Sequence, residues 1–218
     1  MKCYKNVIHP SLVIGEKKGT VLSIIPLPEL HLLMGMVNWA LELLYKITPK
    51  EEIEESMRTK GVSVRGYQGG GLDGVNSNRF LKHLDFLSTC VPPSASPIFQ
   101  TLAKFKVVVE SCFGIDLNPT YKEDIDEFNN EILSLITYCD NELGIIWKPT
   151  WKIHILVAHL KLFLEIKQVG LGIFCEQTSE AAHCVLKPTL QRFKRKADHR
   201  LHGTRLLRAV SDFSSKNM

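Results

Sequence analysis

The chain has 218 residues, 44% of them hydrophobic and 23% charged, with a net charge of +4, which suits one large domain or two small ones with a proper core. No run of about 18 apolar residues occurs, so no transmembrane helix is expected, and Lys2 and Lys5 are not followed by the unbroken apolar stretch of a signal peptide. Six cysteines (Cys3, Cys90, Cys112, Cys139, Cys175, Cys184) stand apart with no C-x-x-C among them, which excludes a self-contained four-cysteine zinc site and reads as reduced thiols in a nuclear or cytoplasmic protein.

The only strand-like stretch is 21–25. Residues 29–46, "ELHLLMGMVNWALELLYK", follow Pro26 and Pro28 and are apolar almost all round, which predicts a central helix. Thr48-Pro49-Lys50-Glu51 reads as a capping box opening a short charged helix that ends at Gly61. The six glycines of "GVSVRGYQGGGLDGVNSN" predict a mobile loop without regular structure. A helix is expected over 78–88, a hinge at "VPPSASP", and a helix capped by Ser96 with Pro97 and ending near Gly114. Asn118-Pro119 starts the clearest amphipathic helix, with Tyr121, Ile125, Phe128, Ile132, Leu135, Ile136 and Cys139 recurring at three and four, and Gly144 closing it. Pro149 precedes "WKIHILVAHLKLFLEIKQVG", a predicted helix stopped by Gly170. Another helix is expected from the "EQTSEAAH" stretch, split at Pro188, and a last one over about 204–213. The fold class is mostly α, with no internal repeat.

The charge is polarised. Residues 187–208 carry eight Lys/Arg against one Asp, a local +7 on a chain otherwise near −3, with the densest acid between 119 and 142. Such a basic end suits a polyanion contact or a solvated basic face.

Three features could carry chemistry. His154 and His159 are five apart, which on a regular helix turns through about 140°. They share an ion if His154 sits at the frayed start of the helix and His159 one turn inside; otherwise they are two independent helix histidines. Glu176, Glu180 and His183 fall on one helical stripe. That stripe suits a metal site, an acid/base pair or a wet surface, and Glu176 also suits the positive end of a helix start. His31, in "PELHL", has leucines as helix neighbours and reads by default as a hydrogen-bonded core histidine.

The order of these features is more informative than any one of them. A "Leu-His…Gly" helix, a His-x4-His pair, "GLGIF", a glutamate and then "LQRFKRK" resemble the C-terminal half of the catalytic region of Transib-type transposases and the large V(D)J recombinase subunit. The resemblance spans about 22–196 and is sharpest over 154–196. It implies an RNase H-like DDE fold, of which this chain holds the helical insertion (28–148, after an irregular lead-in at 1–27) and the last catalytic helix with the basic end (149–218). It places Glu180 as the third acid, beside two aspartates that hold two Mg²⁺ or Mn²⁺ ions for in-line attack on a phosphodiester. It places His154 and His159 on the histidine half of a Zn²⁺ site, with Cys3 as the single matching cysteine, and His31 near the active site.

The departures set the expectation. No strand-borne Asp precedes Leu22, and one glutamate does not hold two ions. The chain is therefore expected to be a transposon-derived fragment that contacts DNA through Lys187, Arg192, Lys194, Arg195 and Lys196 and does not cut it alone. A homodimer is left open, and no membrane partner is expected. Two other classes fit the residues: a helical protein-interaction module using the acidic 119–142 helix and the basic tail for protein contacts, and a stand-alone metal-dependent hydrolase using Glu176, Glu180, His183 and the histidine pair.

Overall fold

A computed structural model describes residues 26–64, 70–145 and 150–174. They are mostly helical, with no strand among the described residues. The expected strand at 21–25 and the helices expected after residue 174 lie outside them.

The sequence pattern places α1 (Glu29–Ile47) at the centre, and it is there. Leu32, Leu33, Met36, Val37, Ala40, Leu41 and Leu44 are all buried. They span more of the helix circumference than one amphipathic face, so α1 must be packed from several sides. It contacts α2 (Lys50–Thr59), α3 (Gly74–Lys82), α5 (Ser96–Cys112) and α7 (Trp151–Ala158).

Helix α2 ends as its glycine predicts. Gly61 sits at φ +68, its amide donates to the Arg58 carbonyl, and the Val62 amide donates to Met57. This is the Schellman closure, and the buried Met57 and Val62 supply its apolar contact. The other end differs from the expected capping box. Helix α2 has no side-chain cap, and Thr48 Oγ1 is buried with no hydrogen-bond partner. The Pro49 carbonyl instead takes the amides of Glu52 and Ile53.

The next helix begins earlier than the glycines suggest. Asp73 Oδ1 accepts from the Asn76 amide at 2.9 Å, an N-cap that starts α3 at Gly74 despite that residue's poor helix propensity. Helix α3 then breaks at His83, and α4 (Leu84–Thr89) continues, so the single helix expected over 78–88 is two. The "VPPSASP" stretch is pinned rather than hinged: Pro93–Ala95 is a 3-10 turn, Ala95 is buried, and the Tyr138 hydroxyl donates to the Ser94 carbonyl at 2.9 Å. Ser96 is the first residue of α5, not its cap.

Helix α5 pairs with α6 (Tyr121–Glu142). The buried face of α6 is Tyr121, Ile125, Phe128, Ile132, Leu135 and Cys139, the periodic set read from sequence, with Ile136 at its margin. Phe128 packs on Phe105 of α5 with ring centres 5.4 Å apart, and Lys104 pairs with Glu127 at 2.7 Å over the top.

The final histidine-bearing helix is also two. Helix α7 is followed, after a break at His159, by α8 (Leu160–Lys167). Helix α8 stops at Gln168, which is left-handed at φ 55, and not at Gly170. A 3-10 turn, Leu171–Phe174, completes the described chain.

Candidate functional site

Thr150 opens α7 by accepting the Ile153 amide on its hydroxyl at 3.4 Å. His154 lies in the middle of α7 and is exposed; His159 closes the helix and is half-buried. At His159 the backbone leaves helical geometry, with φ −125 and ψ −22. The His159 amide still bonds back to Ile155, while its carbonyl starts α8 by accepting from Phe163. This break changes the relation between the two side chains. Their ring centres lie 4.9 Å apart with the planes at 85°.

That separation has chemical meaning. With zinc–nitrogen bonds near 2.0–2.1 Å and tetrahedral angles, two imidazoles sharing one ion have ring centres about 5 Å apart. The same separation, with the planes near perpendicular, is that of an ordinary edge-to-face ring contact, so the distance admits two ligands of one ion without singling them out. Among the described residues no third His, Cys, Asp or Glu joins them to form a metal-holding group. Cys112, buried on α5, belongs to no such group; burial, with Asp124 adding to it, pushes its thiol up to about 12. Cys3 lies outside the described residues.

Helix α6 holds the broken helix in place through polar groups that its apolar periodicity does not announce. Lys122 pairs with Glu165 at 3.1 Å and Asp126 with Lys161 at 2.6 Å. Asn129 Nδ2 donates to the Val157 carbonyl at 3.4 Å. Positions 122, 126 and 129 form one helical stripe, and they meet 165, 161 and 157 in reverse order, as antiparallel neighbours do. Sequence reasoning missed all three. Their only signal is polar residues at helical spacing beside an apolar face, which has no meaning until the opposing helix is known.

The "GLGIF" step is fixed by backbone pairing. The Gly170 amide donates to the Ile115 carbonyl and the Gly172 amide to Gly114, each at 2.9 Å. Phe174 then packs edge-on against Phe163, ring centres 5.5 Å apart. The chain is thus anchored to the α5–α6 turn immediately before Glu176.

His31 sits in the first turn of α1, half-buried rather than in the core. The structure brings His154 and His159 together. Glu176, Glu180, His183, Lys187, Arg192, Lys194, Arg195 and Lys196 lie outside the described residues. No helix among the described residues is long and apolar enough to cross a membrane. Comparison with protein-family models, with curated proteins and with solved structures gives no match.

Proposed function

We propose that this chain is a transposon-derived, DNA-contacting protein corresponding to the helical insertion and last catalytic helix of an RNase H-like DDE transposase. The observation that carries the reading is the meeting of His154 and His159, whose ring centres lie 4.9 Å apart, a separation that two ligands of one zinc ion can have. A second support is positional: the anchored Gly170–Phe174 step follows the pair directly and leads into the stretch that holds Glu180. In this reading His154 and His159 hold half of a structural zinc site, which braces helices and does no chemistry. Glu180 stands for the third acid, and Lys187, Arg192, Lys194, Arg195 and Lys196 neutralise DNA phosphates.

The rival reading, a protein-interaction module built on the acidic helix, draws less support. Asp126 and Glu127 of α6 are already paired with Lys161 and Lys104, and Asp124 accepts from the hydroxyls of Ser111 and Thr120. Three of that helix's seven acids are thus engaged within the chain.

Zinc binding tests the histidine component. The purified chain should take up one zinc ion in competition with a chelator, and His154→Ala and His159→Ala should each lose at least roughly 10-fold in affinity. Equal binding by all three proteins would remove the pair from the site.

A further inference from the structure

The geometry of the histidine pair depends on a helix break that its own segment does not explain. No proline or glycine lies within residues 151–167, and these are the usual causes of a sharp kink. A polar contact from α6 meets the chain at the break. In continuous helix the Val157 carbonyl would accept from the amide four residues on, that of Lys161. Here it accepts from Asn129 on α6, and the flanking ion pairs Asp126–Lys161 and Lys122–Glu165 hold the register on one side of that bond. The other end of the Asn129 amide, Oδ1, is buried with no hydrogen-bond partner. A leucine of similar volume would avoid that cost, so the asparagine is not explained by packing alone.

We propose that Asn129 is a positioning residue for His154 and His159. By taking the Val157 carbonyl it holds the helix open at His159 and keeps the two imidazole rings in contact. The inference rests on the reading of the pair as a metal half-site, but its geometric part applies to the metal-free chain as well.

The test is Asn129→Leu in the full chain, which keeps volume while removing the donor and the unpartnered acceptor. By nuclear magnetic resonance of the metal-free protein, the contact between the two imidazole rings should disappear. Exchange of the Lys161 amide should slow at least roughly 10-fold as it bonds to Val157. Zinc affinity should fall roughly 10- to 100-fold, with partial recovery in Asn129→Gln, which keeps a donor. Ring contact retained in Asn129→Leu, with zinc affinity within about twofold of the parent, would overturn the proposal. Should His154→Ala bind zinc as the parent does, the metal reading fails, and the ring contact and Lys161 exchange still decide the positioning role. If Asn129→Leu does not fold, Asn129→Asp, which donates nothing when ionised, gives the same readouts.

Discussion

Gly170→Ala is expected to destabilise the chain by about 3 kcal/mol, the upper part of the range for a side chain forced into a filled site. A Cβ at this position would lie 2.1 Å from the Gly114 carbonyl oxygen and 3.0 Å from that of Ile115. Both atoms are backbone, and both carbonyls are fixed because they accept from the Gly172 and Gly170 amides. Neither can rotate away as a side chain would. Gly114→Ala is the matched control. Among the described residues its Cβ would meet only the Asp116 carbonyl, at 3.8 Å, and its cost should stay within about 0.5 kcal/mol. Urea unfolding midpoints of the two variants, at unchanged slope, make the comparison. Equal midpoints would mean that the "GLGIF" step is not anchored to the α5–α6 turn.

Asn38→Leu should cost a similar amount, about 3 kcal/mol, for a different reason. Asn38, on α1, donates from Nδ2 to the Leu72 carbonyl at 3.0 Å and accepts the Leu72 amide on Oδ1. One side chain thus satisfies both backbone groups of a residue that is only 2% exposed. Leucine would leave a buried donor and a buried acceptor unpaired, each worth about 1–3 kcal/mol. Asn38→Asp keeps the acceptor but sets its second oxygen against the Leu72 carbonyl, so it should be destabilising as well. Thermal or urea melts that place both variants within about 0.5 kcal/mol of the parent would show that Leu72 is not clamped this way.

These two residues also show where sequence reasoning stops. Helix α6 was legible because a buried face repeats at three and four, and its six buried residues are the ones periodicity selects. The end of α2 was legible because Gly61 supplies a left-handed residue where the chain must turn. Gly170 was visible but misassigned. A glycine after a helical run looks like a helix stop, and only the fold shows that it is needed for a backbone to come close. Asn38 gave no signal, since an isolated asparagine in an apolar helix reads as a neutral exception. The break at His159 was illegible for the same kind of reason. Residues 151–167 carry no local breaker, and the bond that replaces the missing helical one comes from Asn129, 28 positions earlier. Local propensity set the helix, and a tertiary contact divided it. Of the candidate site, the sequence supplied the residue types and their order, while the meeting of His154 and His159 required the broken helix.

The measurement that bears most directly on the proposed function is duplex DNA binding as a function of salt. The full chain should bind at low salt and lose affinity steeply as salt rises, in a linear double-logarithmic plot. Changing Lys194, Arg195 and Lys196 together to alanine should lower the magnitude of that slope by about 2 to 3, because each phosphate contact contributes about 0.9. No binding at low salt, or a slope that the triple variant leaves unchanged, would contradict a transposase-derived DNA contact at the basic end and favour the interaction module.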